Sequence, residues 1–553
     1  MAYRRDELRF NGWGLRDKSF DLRGRDAEVW AFVREALEMP ELPSTPPVDL
    51  DGVRLPDSRL SAVARTALAG SVSPDGCFET PYERAFHAVG RSYFDLLRIR
   101  SGHLSGAPDA VVYPASHDEV AAVLACCADH GLAVVPFGGG SSVVGGVEAS
   151  GGERGLVTLD TTRMTRLLDL DEVSHTATFE SGIYGPELES VLDRRGFTMG
   201  HFPQSFEFST LGGWIAARGA GQQSNRYGGA AKLLVGARVA TPAGDWRTQA
   251  HPASAAGPDL NHVIAGSEGT LGVITEATVK IHPHAEARDF ISFLFRSWED
   301  GVEAVRRITH AELPVSTLRL SDVDETRFYG SFKQVLKPSR AQELGQKALG
   351  VAGFDQPCVL MVGFEGATAQ VRLSWRQAFA TATKAGGVFV GRGPGNSWYE
   401  NRFEMPYLRD PLMDHGVGID TLETATVWSN VPRLYAGVTG ALRRTMASRG
   451  HTGIVLAHLS HTYAAGTSLY FTFLFPRDLD DAVGQWRALK NAASDAIREH
   501  GGTISHHHGV GVDHTPWVGD ELGALGVGML EAAKRSVDPA GIMNPGKLFP
   551  RDP

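Results

Sequence analysis

Apolar and polar positions alternate with different periods along the chain, and the changes of period mark its elements. Residues 39–56, MPELPSTPPVDLDGVRLP, are too rich in proline for regular structure and are expected to wrap a surface. The segment ERAFHAVGRSYFDLLRIRSG, 83–102, predicts one amphipathic helix ending at Gly102. From about residue 106 short apolar runs take over. DAVVYP and LAVVPF predict strands, and between them Ser116 and Glu119 form an S-x-x-E capping box for a helix that stops at Gly131. GLVTLD and TATFESG predict further strands, Pro186 opens a helix that Gly196 closes, and GVITEATVKIHP alternates as a strand does. Beyond 284 the runs FISFLF, LPVSTLRL, CVLMVGFEG and LYFTFLF predict strands separated by helical stretches, and a last helix is expected around GMLEAAKRSV.

The pattern divides the chain into an N-terminal helical and extended region (1–105), a strand–helix–strand block (106–283), a second α+β domain (284–500) and a C-terminal segment (501–553). At 553 residues, with 42% hydrophobic and 21% charged positions, the composition is that of folded domains rather than of a disordered chain. A net charge of −10 and the lack of a Lys/Arg run argue against nucleic-acid binding. Cys77, Cys126, Cys127 and Cys358 are too few and too irregularly spaced for a disulfide framework, which suits a reducing compartment. No run approaches the ~20 apolar residues of a membrane span. The two arginines of MAYRRDELRF precede no hydrophobic region, so a cytoplasmic location is expected.

The 64 glycines are what stands out, and they cluster. GGGSSVVGG, 138–146, follows a predicted strand and presents successive backbone amides, a nest suited to a diphosphate. Gly140 and Gly145 have Walker A spacing, but Gly146 and Val147 stand where Lys and Ser/Thr are needed; Val143 likewise spoils a Rossmann G-x-G-x-x-G. Taken alone, the loop also fits a tight inter-strand turn. A second cluster, HFPQSFEFSTLGGWIAARGAGQQSNRYGG (201–229), offers Ser209, Thr210 and the amides of Gly212 and Gly213 to the edges of a large planar cofactor. Late in the chain come His506, His507 and His508. On a strand beginning at GGTIS, His506 and His508 would share a face and His507 would point away. In isolation the run reads first as a polar surface turn, and after that as a metal site completed by His458 and His461.

Together, PFGGGSSV, GHFPQSFEFSTLGGW, GPDLNHVIAGSEGTLGVITEATVKI and SHHHGVG resemble the alkyldihydroxyacetonephosphate synthases, within the vanillyl-alcohol-oxidase (PCMH-type) flavoproteins. The resemblance runs from FNGWG (10–14) through ERAFHAVG, STLRLSD, PYLRD, LETATVW and TYAAG to the final helix. It implies a two-lobed FAD domain, a cap domain over the flavin, a homodimer and, because the loop lacks His and Cys, non-covalent FAD. The implied cofactor-binding set is Pro136, Gly138, Gly139, Gly140, Ser141, Ser142, Gly145, Gln204, Ser205, Ser209, Thr210, Gly212, Gly213, Ala217, Glu268, Gly269, Gly272 and Ile274. His508 takes the role of proton-abstracting base, with His506 and His507 beside it, and an imidazole pKa of ~6.5 suits that task. Tyr463 acts on the departing acyl group. Arg409 binds the substrate phosphate, its alternative being an ion pair with Asp410. Arg319 positions substrate or structure, and His201 lies near the site.

The implied reaction exchanges the acyl group of an acyl-dihydroxyacetone phosphate for a fatty alcohol, through a flavin N5 adduct, with peripheral contact at a membrane surface. The chain departs from the family at Phe202, Gln204 and Ala464, at VDHTPW after the histidines, and at the tail IMNPGKLF. Those departures keep a second reading open, oxidation of a D-2-hydroxy acid with His508 as base and Arg409 on the carboxylate. A third, a metal-dependent hydrolase using the histidine groups, leaves both glycine clusters unexplained. A non-enzymatic FAD-binding protein is the last alternative.

Overall fold

The computed structural model describes residues 7–340, 345, 349–350 and 353–549. Three sheets carry the architecture. The first contains β1 (Cys77–Phe78), β2 (Ala110–Val112), β3 (Ala133–Phe137) and β4 (Leu156–Asp160) in the order β1-β2-β4-β3, with β2, β4 and β3 parallel. The helix His117–Asp129 makes the crossover from β2 to β3. These strands are buried along almost their whole length, which is why they read as unbroken apolar runs. The second sheet is antiparallel: β5 (Leu167–Asp171), β6 (Thr176–Glu180), β8 (Leu234–Thr241), β9 (Gly244–Arg247) and β10 (Val273–Lys280), ordered β5-β6-β10-β8-β9. A two-stranded ribbon pairs β7 (Phe197–Thr198) with β11 (His282–Pro283).

The third sheet has seven strands: β12 (Ala287–Phe295), β13 (Val315–Ser321), β14 (Cys358–Gly366), β15 (Val388–Gly391), β16 (Val417–Val427), β17 (Ile454–Thr462) and β18 (Gly466–Pro476), ordered β15-β12-β14-β13-β17-β18-β16. Helices Trp298–His310, Thr368–Lys384 and Val431–Ser448 bury their apolar faces in its core. Strands β16 and β17 escape the sequence pattern because several of their buried positions are polar: Asp420, Glu423, Thr424, His458 and His461 face inward. The expected α+β class, with two lobes and a cap sheet, is what the chain forms.

Several local expectations need correction. Segment 83–102 is two helices, Pro81–Phe86 and Tyr93–Arg100. Ser92 starts the second with a complete capping box, its hydroxyl on the Asp95 amide and the Asp95 carboxylate on its own N–H. Gly90 lies in the break, where a Cβ would press on the Ser142 carbonyl oxygen of the glycine loop. At Ser116 only half of the expected box forms: the hydroxyl caps the Glu119 amide (3.2 Å), while the Glu119 carboxylate accepts from Ala115 N–H (2.8 Å) and from Ser73. Residues 501–505 form no strand.

The N-terminal region and the C-terminal segment are also woven into the lobes. β1 joins the first sheet, Leu8, Phe10 and Trp13 enter the same core as the cap helices, and Met543 bridges Val134 of β3.

The contact of Gly90 with the loop generates a prediction. Gly90→Ala should displace Ser142 and so weaken retention of the FAD that the resemblance implies; such overpacking costs about 1–3 kcal/mol. The check is flavin absorbance per protein after gel filtration, which should fall several-fold relative to wild type.

Candidate active site

Between the two lobes and the cap sheet lies a cavity of about 1370 Å³. Its floor is the glycine loop that leaves β3. A Cβ on Gly139 would collide with the Phe208 carbonyl oxygen, and one on Gly138 with the Thr210 hydroxyl. Gly140 has φ +68°, and a Cβ there would strike the Phe137 ring. At Gly139 backbone is thus laid against backbone, which only glycine allows, and residues 138–143 of the loop all line the cavity. Thr210 caps the short helix Leu211–Ala216, which places Gly212 and Gly213 in the same wall. Of the predicted cofactor-binding set, every residue except Gly145 lines the cavity. Gly145, at φ +72°, instead packs toward Val512. Trp13, Thr161 and Ser181 also form part of the wall, and the sequence offered no reason to select them.

The histidines sit on a loop, not a strand, so the expected alternation fails. The Glu423 carboxylate, from β16, accepts the backbone N–H of His506 (2.7 Å), His507 (2.9 Å) and His508 (2.9 Å). All three successive amides point one way. His507 and His508 line the cavity; His506 does not, and its Nδ1 lies 2.9 Å from Nδ1 of His507. Burial pushes His506 down to about 4 and His508 down to about 3. Both rings are therefore neutral near pH 7, as a proton acceptor must be. The loop continues into Val510 and Gly511, whose N–H groups donate to Glu268 of the flavin lobe at 2.6 and 2.7 Å. Burial pushes Glu268 up to about 7 against those two bonds.

Arg409, half-buried at the start of helix Arg409–Asp414, lines the cavity and donates to the Arg91 carbonyl oxygen at 2.5 Å; its Nε finds no acceptor among the described residues. Asp410 is occupied elsewhere, accepting from Trp13 N–H at 2.8 Å. Arg319, on β13, also lines the cavity and donates to Glu325 (2.9 Å), which lies 3.0 Å from His458 Nδ1. Burial opposes ionisation of Glu325, yet Arg319 and His458 hold it at about 2. Tyr463 stands outside the cavity wall, 40% exposed, with its hydroxyl 2.6 Å from His506 Nε2. His201 is fully buried against Trp214 (4.7 Å between rings), outside the wall, with neither ring nitrogen hydrogen-bonded among the described residues.

Potential metal-ligand atoms of His461, His506 and His507 lie within 4.8 Å of one another. This is a different grouping from the one the sequence suggested. His458 is engaged with Glu325, and the hydrolase reading has no use for the glycine floor.

Comparison with known proteins agrees with this geometry. Residues 108–249 match the family described as FAD binding domain, and 284–548 match FAD linked oxidases, C-terminal domain. Alkyldihydroxyacetonephosphate synthase of Dictyostelium discoideum is 33% identical over 535 residues, covering 94% of this chain and 87% of that protein. The chain belongs to the alkyldihydroxyacetonephosphate synthase family. A solved structure titled alkyldihydroxyacetonephosphate synthase superposes with a TM-score of 0.85 at 30% identity, covering 98% of this chain and 99% of that one. p-Cresol methylhydroxylase, at 16% identity, shares the fold (TM-score 0.70; 88% of this chain and 96% of that one). The protein is thus an FAD-dependent enzyme of PCMH-type fold, and the glycine floor fits the group its family binds.

Glu268 gives this site a pH signature. Its pKa is about 7 in the folded state against 4.5 ordinarily, so the folded chain holds the extra proton between those values. Its contribution to stability is full below the lower value and is lost as pH rises through the upper one. Glu268→Gln removes that loss, so the melting temperature of the variant relative to wild type should rise between about pH 5 and about pH 8. Thermal unfolding at matched flavin content reads it.

Proposed function

We propose that the enzyme releases the acyloxy group of an acyl-dihydroxyacetone phosphate as a fatty carboxylate and puts a fatty alcohol in its place, the alcohol oxygen becoming that of the ether-lipid precursor. The observation that carries this reading is the continuity of the cavity. The same cavity is lined by Arg409, Arg319 and His508 and by the apolar Tyr329, Phe332, Leu336, Leu349, Phe354, Met405 and Ile419. A phosphate and a long hydrocarbon chain have partners in the same space, whereas a small hydroxy acid needs no such apolar lining.

Held non-covalently on the glycine floor, FAD would supply the electrophile. The chain's own groups do the rest. Arg409, in a wall shared with Arg319 and backed by buried Arg91, offers its guanidinium to the phosphate dianion. His508, neutral and facing the cavity, takes the proton from the carbon that bears the acyloxy group. Tyr463 and His506 stand hydrogen-bonded behind His507, placed to pass a proton between that ring and the outer edge of the site. The apolar part of the lining favours the long-chain alcohol over water as the group that completes the exchange.

A homodimer that touches a membrane peripherally belongs to the same reading. In its support, the terminal helical segment Thr515–Val537, kinked at Gly523, leaves Leu522, Leu525 (87% exposed) and Met529 (75% exposed) uncovered. Among the described residues no helix is long and apolar enough to cross a membrane.

Anaerobic mixing of the flavin-loaded enzyme with palmitoyl-dihydroxyacetone phosphate should bleach the flavin, and a long-chain alcohol should restore it with ether formed. Bleaching by a D-2-hydroxy acid instead would overturn the reading. His508→Ala should lower turnover by about 10²–10⁴-fold with flavin retained. Arg409→Lys should raise KM for the phosphorylated substrate about tenfold, since a lysine cannot form the two-pronged contact.

A further inference from the structure

Glu423 is the group on which the whole histidine loop converges, and neither the glycine clusters nor the histidine motif points to it. It sits on β16, paired with Tyr470 of β18, and its side chain is fully buried. Four hydrogen bonds reach its carboxylate: the Ser505 hydroxyl (2.9 Å) and the backbone N–H groups of His506, His507 and His508. Three of these bonds, from Ser505, His507 and His508, end on Oε1, and that of His506 ends on Oε2. Nδ1 of all three imidazoles also faces it, at 3.8 Å for His506, 3.4 Å for His507 and 3.8 Å for His508.

That geometry bears on which ring nitrogen of His508 is free to act. A neutral imidazole has one N–H and one lone pair. Facing a buried anion, Nδ1 is favoured as the N–H, because a lone pair there would be repelled in a medium that screens weakly. The lone pair then falls on Nε2. Burial opposes a charge on Glu423, but the imidazoles of His507 and His508 and its hydrogen bonds hold it well below the usual carboxylate range.

We propose that Glu423 is the positioning residue of this active site: it holds residues 505–508 in place and keeps His508 in the Nδ1–H form, with Nε2 as the base. This rests on the reading of His508 as the proton acceptor. When that ring takes its proton, Glu423 is also the anion beside the imidazolium that results.

The test is nitrogen NMR of the FAD-loaded full chain with labelled histidine near neutral pH, with His508→Ala assigning the resonance, paired with steady-state ether synthesis. Wild type should show His508 protonated on Nδ1. Glu423→Gln should retain flavin, move the proton toward Nε2 and lower kcat by about tenfold or more with KM changed less than about threefold. Glu423→Asp keeps the anion, and should keep the Nδ1–H form and recover part of kcat.

A folded Glu423→Gln enzyme with the wild-type tautomer and kcat would overturn the proposal. Should the Gln variant not fold, a folded Asp variant that has lost the Nδ1–H form would overturn it equally. Wild-type enzyme that makes no ether would sink the assigned reaction and leave the NMR result to decide the role of Glu423.

Discussion

Residues 505–511 are held from both sides by buried carboxylates, and the closure of the site depends on this clamp. Glu423 reaches in from the cap sheet and takes the amides of 506–508; Glu268 reaches in from the flavin lobe and takes those of 510 and 511. A loop with no secondary structure leaves its N–H groups to be satisfied by something else when buried, and here the acceptors come from two different domains. The loop is thereby fixed relative to both, and the cavity acquires a common wall. The bonds to ionised Glu423 are charge-assisted and stronger than neutral ones, and removing either carboxyl group would leave buried donors without their acceptor.

The same economy governs the phosphate side. Loss of solvent lowers both Arg409 and Arg91, and with the charge of Arg409 nearby it pushes Arg91 down to about 10. Their nearest relief is the backbone: Arg409 donates to Arg91 O, and Arg91 donates to Gly90 O and Arg9 O. The N-terminal strap is tied in at the same point, with Trp13 N–H on Asp410 and the Trp13 ring edge-on to Phe208, 5.6 Å away. Because Phe208 carries the carbonyl against which Gly139 is pressed, the strap, the phosphate wall and the glycine floor form one contiguous packing unit.

Much of this was legible beforehand. The glycine floor is recognisable because glycine is the only residue that lets backbone approach backbone, so its clustering carries chemical information. Strands buried on both faces announce themselves as apolar runs, and caps such as Ser116 act locally. By contrast, β16 and β17 were invisible because their inward faces carry Glu423, His458 and His461, polar groups that serve the site and erase the alternation. Helix 83–102 was misread as continuous because its break at Gly90 answers to Ser142, more than fifty positions away. Gly145 looked equivalent to its neighbours and is turned out of the wall.

The sequence by itself determined the chemistry available: a nest of amides without His or Cys, a run of three imidazoles, and arginines at 319 and 409. Periodicity and glycine content are properties of neighbours in the chain, so they survive without a fold. The tertiary structure alone decided which of those groups meet. It set His507 and His508 on the cavity while turning His506 toward Tyr463, and it gave Arg319 to Glu325. It also brought Glu423 under a loop more than eighty residues downstream. Such pairings follow from the burial of donors and acceptors whose partners lie far off in sequence, and only packing specifies which acceptor arrives.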